Sequence, residues 1–271
     1  MGLGTYKVQT RYHMNLTTHI FLERPQCGGD VLKPADDGLI RLQGEVRSAF
    51  GWSLDDDDRS AQAMAEVFSQ HTPYGRDSWS PTGRAQSLAR IKQTVASIVR
   101  LIVVGAGSEP IHVDDYPGAL FVAADGAVGA IDDISRVLFV VSDGDGAEYL
   151  DAAAQSGVHI VLHAHGDNNN LWKQLVEKWS TFDHFPSLTL THQSTNEYEG
   201  VYNPGGFTDG DRALCFLKAM GRSLDDIECI GFRTDLLGAW SASTNPARKM
   251  QKLRWMKESM RRLGVEHYII K

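Results

Sequence analysis

Cysteine is scarce: the 271 residues hold three, Cys27, Cys215 and Cys229. The number is odd, and no pair has the spacing of a zinc ribbon or a Cys-x-x-Cys redox site, which argues against a disulfide scaffold and a thiolate metal knot. Cys215 and Cys229 sit in apolar runs and read as small core residues. Long hydrophobic runs are also missing. None approaches the ~20 residues of a membrane span, and Met1–Lys7 has no signal-peptide core. The expectation is a cytoplasmic chain with no membrane partner. Positive charge is in deficit, with 27 Lys and Arg against 34 Asp and Glu and a net charge of −7. That balance disfavours nucleic acid as a partner. It leaves room for a phosphorylated ligand if metal ions or local Lys and Arg offset the charge. No Gly-Lys-Ser/Thr follows the one glycine-rich turn, so there is no Walker A loop. Internal repeats and low-complexity tracts are absent. Nothing in the sequence fixes the oligomeric state, and a homo-oligomer stays open.

What is present is a change of pattern near residue 95. Before it, an element at Tyr12–Leu22 leads through Pro- and Gly-rich chain to an acidic run, Asp55–Asp58. Ala61, Met64, Ala65 and Phe68 follow at helical spacing, so the acids read as a solvated helix start favoured by the macrodipole. Thr72–Gly83 reads as a surface loop carrying Tyr74 and Trp79, and Leu88, Ile91, Val95 and Ile98 mark a second helix. Residues 1–95 are expected to form a smaller, largely helical N-terminal accessory segment.

From residue 96 on, strand and helix signals alternate. Strands are expected at 101–104, 119–124, 136–142, 158–162, 187–191, 198–202, 227–231 and 266–270. Helices are expected at 147–155, 169–180, 211–220 and 246–263, the last capped by Asn245 with Pro246 at its first position. Such alternation predicts an α/β catalytic domain, a mainly parallel sheet in three layers.

The chemistry gathers where strands end. Ala124 runs into Asp125-Gly126, Ser142 into Asp143-Gly-Asp145-Gly146, and Leu162 into His163-Ala-His165-Gly-Asp167-Asn168. Asn203 leads to Gly205-Gly-Phe-Thr-Asp209-Gly-Asp211-Arg212. Open α/β sheets bind ligands beyond the carboxyl ends of their strands. One Asp-Gly pair is usually a turn. Four acidic turns within about ninety residues favour a shared metal–nucleotide crevice, because Mg²⁺ takes carboxylates plus substrate phosphates.

Two rivals have their own residues. Gly105-Ala-Gly107 begins like a dinucleotide fingerprint, with Asp125 about twenty residues on, but the crowd of acids would repel a bare pyrophosphate. His163 and His165, two apart at a strand end, suit a transition metal and a metal-dependent hydrolase, with His192 nearby. A non-catalytic nucleotide-binding module is a third possibility. Arg212, Arg248, Lys249 and Lys252 supply positive charge, as a solvated face or as neutralisers of phosphate.

These strings, taken in order with Gln193 and Lys249-x-x-Lys252-Leu253, resemble the archaeal-type 6-hydroxymethyl-7,8-dihydropterin pyrophosphokinases, the MptE-like family. The resemblance covers about residues 95–260. It implies a fold like the catalytic domain of thiamin pyrophosphokinase. It also implies Mg²⁺-dependent transfer of diphosphate from ATP to a reduced pterin, releasing AMP, in tetrahydromethanopterin- or folate-type cofactor synthesis. On that reading Asp143 and Asp145 hold metal, with Asp125 adding a ligand and Asp167 a ligand or an orienting contact. His165 and Lys249 stabilise charge on the phosphates, and Asn168 orients a group beside them. Gly105, Gly107, Gly126, His163, Gln193, Asp209, Asp211, Arg212 and Lys252 line the substrate sites, with Asp209 and Gln193 toward the pterin edge.

Overall fold

The computed structural model describes residues 32–241 and 245–270. The element expected at Tyr12–Leu22, and Cys27, lie outside the described residues. Six strands carry the site: β1 (Arg100–Val104), β2 (Ala119–Ala124), β3 (Val137–Ser142), β4 (His159–Ala164), β5 (Leu188–His192) and β6 (Ile227–Ile230). They form one parallel sheet in the order β5-β4-β3-β2-β1-β6. The chain steps outward from β1 to β5, then returns to add β6 on the other side of β1. The reversal puts the topological switch point between β1 and β6, where open α/β sheets place their crevice.

The central strands β1, β2 and β3 are largely apolar on both sides because both faces are covered. On one face, Ile102, Val104, Phe121, Val140, Ile160 and Leu162 pack against α2 (Leu54–Phe68), α4 (Ala147–Gln155) and α5 (Asn169–Ser180). On the other, Leu101, Val103, Val122, Phe139 and Val161 meet α1 (Asp37–Phe50), α3 (Pro81–Ser97), α6 (Asp209–Ala219) and α7 (Pro246–Leu263). The result is the expected three-layer α/β fold. Among the described residues, no helix is long and apolar enough to cross a membrane.

The N-terminal helices build this core. Met64 and Phe68 of α2 and Trp79 are fully buried against the sheet, and the Trp79 indole donates to the Pro186 carbonyl at 2.7 Å. The helices from α1 onward belong to the same compact unit as the sheet. Thr72–Gly83 is therefore no surface loop, because two of its short turns seat Trp79 under the sheet. Two expected strands are absent. Gly200, at a φ of 71°, turns the chain back at 198–202, leaving isolated bridges beside β5. After Gly264 ends α7 in the left-handed region, residues 266–268 make a 3-10 turn, and only Ile270 pairs, with Arg233.

The sheet also buries the imidazoles of His159 and His192. His159 lies between the hydroxyls of Ser187 (2.7 Å) and Thr189 (2.9 Å), and burial, aided by Arg90, lowers its pKa to about 3. Burial lowers that of His192 to about 4. In the unfolded chain both protonate near 6.5. Between those values the unfolded chain holds more protons, so stability falls as the pH drops. The contribution is complete above pH 6.5 and is lost as the pH falls through about 4 and then about 3. Each group accounts for about 1.4 kcal/mol per pH unit within its window. His159→Gln is therefore expected to flatten the pH dependence of urea unfolding between about pH 6 and 4 by that amount. An unchanged slope would mean that His159 is not held neutral by the fold.

Candidate active site

Beyond the carboxyl ends of the strands lies one cavity of about 550 Å³, in the range of small-molecule sites. Three carboxylates share one wall. Asp125 follows β2, and Asp143 and Asp145 follow β3; one oxygen from each lies within 4.8 Å of the others. Asp125 is buried at a φ of 48°, a conformation uncommon outside glycine that Asp tolerates better than most residues. It accepts from the Ser142 hydroxyl. A Cβ on Gly146 would overlap its carboxylate, so the glycine makes room for the acid. Burial, with Asp209, Asp145 and Asp143 close by, raises its pKa well above the carboxylate range. An all-oxygen donor set under mutual repulsion fits a hard divalent cation such as Mg²⁺.

Cationic groups stand close to these acids. His165 is held between two carboxylates, Nε2 to Asp143 at 3.2 Å and Nδ1 to Asp167 at 2.9 Å. Burial disfavours its charge, yet the hydrogen bonds to Asp143 and Asp167 outweigh that cost and raise its pKa to about 9. Asp167 moves the opposite way, to about 2, through its bond to His165. Arg212, buried on α6, donates to Asp209 at 3.1 Å, to the Gln193 side-chain oxygen at 3.1 Å, and lies 3.8 Å from Asp143. Burial, reinforced by Asp143, raises Asp209 to about 7 although Arg212 opposes it. Lys249 and Lys252 line the cavity from the first turns of α7.

Asn168 and Gln193 also line the cavity, with side chains already committed to protein partners, whereas His163 and Asp211 stand outside its lining. Asn168 donates to the Asp143 carbonyl (2.8 Å) and the His163 carbonyl (2.7 Å) and accepts from the His165 amide (2.9 Å). It clamps the β3 and β4 turns together. The Gln193 amide is committed at both ends, to Asp57 and to Arg212. Asp211 faces away from the cavity: its carboxylate closes the capping box of α6, accepting from the Phe207 amide (2.7 Å) and Thr208 amide (2.8 Å). His163 lies behind His165, with ring centres 6.0 Å apart, and its Nδ1 meets the Thr191 hydroxyl at 3.0 Å. Burial, with Arg212 nearby, lowers its pKa well below the ordinary value. The two histidines thus differ in charge and share no ligand position. Among the described residues, the one cluster of three or more metal-ligand types is carboxylate alone.

Gly105 and Gly107 line the cavity, and the turn they form also makes a close chain crossing. No helix follows Gly105–Gly107, and the amides of Gly105 and Gly107 donate to the Ile230 and Gly231 carbonyls at 2.8 and 3.0 Å. The glycines admit the chain after β6. Residues 231–241 pass so close that a Cβ on Gly238 would overlap the Ala106 carbonyl. A Cβ on Gly126 would come within 2.5 Å of the Trp240 carbonyl. The Trp240 indole donates to the Ser108 carbonyl at 2.9 Å and stacks edge-on with Tyr149.

Three contributors went unrecognised in the sequence. Trp240 is one. Trp52, another cavity residue, stacks on Phe50 at 4.6 Å and underlies the Arg248 guanidinium at 5.1 Å and the Lys252 ammonium at 5.7 Å. Asp57 is the third: far from being part of a solvated helix start, it is 3% exposed and salt-bridged to Arg47. A signal for it existed, since Asp57 falls in register with Ala61, Met64 and Phe68 on the buried stripe of α2.

A parallel sheet whose strand-end carboxylates face arginine, lysine and histidine in one cavity defines an α/β enzyme with both an acidic cluster able to hold a metal ion and a cationic side. No family model matches the chain. Compared with curated proteins, it is 31% identical over 223 residues to the 6-hydroxymethyl-7,8-dihydropterin pyrophosphokinase of Pyrococcus furiosus, covering 77% of this chain and 85% of that one. It is 39% identical over 98 residues to the Methanocaldococcus jannaschii protein of the same name, covering 35% of this chain and 39% of that one. The chain belongs to the 6-hydroxymethyl-7,8-dihydropterin pyrophosphokinase family, a family of diphosphotransferases.

Proposed function

We propose that this chain transfers diphosphate from ATP to the hydroxymethyl group of 6-hydroxymethyl-7,8-dihydropterin, in the synthesis of a tetrahydromethanopterin- or folate-type cofactor. The pterin hydroxyl oxygen attacks the β-phosphorus, and the bond from that phosphorus to the α,β-bridging oxygen breaks. AMP leaves with the bridging oxygen. The hydroxyl proton passes to a cavity carboxylate, and the raised pKa of Asp209, outside the acidic trio, supports it in that role. Asp125, Asp143 and Asp145 would hold Mg²⁺, which supplies charge neutralisation to the phosphates and a fixed template for them. Protonated His165, Arg212, Lys249 and Lys252 stabilise negative charge as it shifts toward the leaving group. Transfer of this kind depends mostly on positioning and electrostatics.

The observation that carries this reading is the carboxylate trio set against buried Arg212 and protonated His165 in one cavity, in a chain of this family. The test is incubation with Mg–ATP and the reduced hydroxymethylpterin, with products separated by chromatography. AMP and a pterin diphosphate in equal amounts are expected. ADP as the product, or no turnover, would overturn the reading.

A further inference from the structure

Asp57 is buried on α2, and every polar neighbour bonded to it is a donor. The Arg47 guanidinium donates to it at 3.0 Å, the Gly166 amide at 2.8 Å, and the Gln193 side-chain nitrogen at 3.0 Å to each oxygen. Arg47 also donates to the Gln193 carbonyl at 2.9 Å. Past Gln193, the amide oxygen accepts from Arg212 at 3.1 Å, and Arg212 reaches Asp209 and Asp143. A carboxylate accepts only and a guanidinium donates only. The Gln193 amide between them therefore has a single satisfying orientation, nitrogen toward Asp57 and oxygen toward Arg212.

We propose that Asp57, outside the cavity's reacting groups, is a positioning residue that sets this amide orientation and so anchors Arg212 against the phosphates. The same carboxylate pins the Gly166 amide, and with it the turn that carries His165. The proposal rests on the reading of Arg212 as a phosphate-side cation. It gives the N-terminal helices a role in the chemistry: α1 supplies Arg47, α2 supplies Asp57, and the chain after β5 supplies Gln193.

Asp57→Asn places an amide nitrogen among donors. Gln193, whose nitrogen bonds both Asp57 oxygens, then loses one of its two acceptors and meets a donor in its place, and turning over to avoid that donor sets its nitrogen against the Arg212 donors. The expected loss in kcat/KM for Mg–ATP is about 10- to 100-fold, the usual effect of removing a supporting contact. Adding Gln193→Glu to that variant restores the pattern, because a carboxylate at position 193 accepts both from the amide introduced on α2 and from Arg212. Gln193→Glu alone sets two carboxylates face to face. The double variant is therefore expected to outperform both single variants, a reciprocal rescue that a merely structural role does not produce.

Crystal structures of the variants give a readout independent of turnover, with Arg212 swung away from residue 193 in Asp57→Asn and returned in the double variant. If the wild type makes no AMP, the functional reading fails, and the position of Arg212 still decides this proposal. Should Asp57→Asn not fold, Gln193→Leu cuts the same link while leaving the Arg47–Asp57 pair, with the same loss expected. A kcat/KM within about twofold of wild type in a folded variant would overturn the proposal. So would a double variant no better than Asp57→Asn, or an unmoved Arg212.

Discussion

Asp143→Asn is expected to lower kcat by roughly a thousandfold or more while the fold persists, the scale set by losing both a metal ligand and preorganised charge. The side chain belongs to the carboxylate trio and accepts from His165 Nε2. The structural duty of this residue lies elsewhere, since its main-chain carbonyl is what Asn168 binds at 2.8 Å. Asn therefore removes the charge and keeps the turn. It also removes one of the two carboxylates that raise the pKa of His165 to about 9. In the metal-free variant, His165 is expected to titrate at a lower pH, and an NMR titration of its ring resonances reads that directly. Some stability is expected to be lost, because His165 and Arg212 hold the Asp143 carboxyl below the ordinary carboxylate range despite its burial and lose that partner, a cost offset in part by relieved repulsion with Asp125 and Asp209. A folded variant that keeps its rate within about tenfold would remove Asp143 from the metal site.

The sequence was informative wherever one periodicity served one purpose. Strands β1 to β3 are nearly continuous apolar runs that break into glycine or acid, so both their burial and their chemistry lie in local order. The bounds of α5 and α7 are those expected, since α7 opens with a cap and a proline and stops at a glycine. What stayed hidden depends on tertiary neighbours. Residues 198–202 have strand-like composition, but Gly200 reverses the chain before a ladder can form. Asp211 and Asp209 read alike in Gly-Gly-Phe-Thr-Asp-Gly-Asp-Arg, yet α6 turns one carboxylate into its own cap and the other toward Arg212. His163 and His165 are also alike in sequence; only the third dimension gives one a threonine and the other two carboxylates. The glycine turn resembled a phosphate loop because phosphate loops and close chain crossings need the same missing Cβ. Here the Gly105 and Gly107 amides bind the end of β6 and the residue after it, while the turn still lines the cavity.

Arg212 is the position where charge, geometry and stability cannot be separated by one substitution, so two are needed. Arg212→Met keeps much of the volume and removes the charge. Asp209 and Asp143 then lose the opposite charge beside them, and the Gln193 oxygen loses its donor. Breaking a buried pair from one side costs about 3–5 kcal/mol, so a marked fall in the urea midpoint is expected together with near-complete loss of turnover. Arg212→Lys keeps the charge. A single ammonium does not reproduce the forked donor set that spans Asp209 and Gln193 at 3.1 Å each. Most of the stability is expected to survive in Arg212→Lys, with kcat/KM down by about 10²–10³, the scale of removing one preorganised donor from a developing charge. The contrast is the test. If Lys restores both stability and rate, point charge alone is what the site requires, and the fork has no role. If Lys restores neither, Arg212 is a structural strut. Recovery of stability without recovery of rate is the outcome that places the guanidinium geometry in the chemistry. It would also explain why the chain commits Arg47, Asp57 and Gln193, all buried and drawn from separate elements, to holding one side chain.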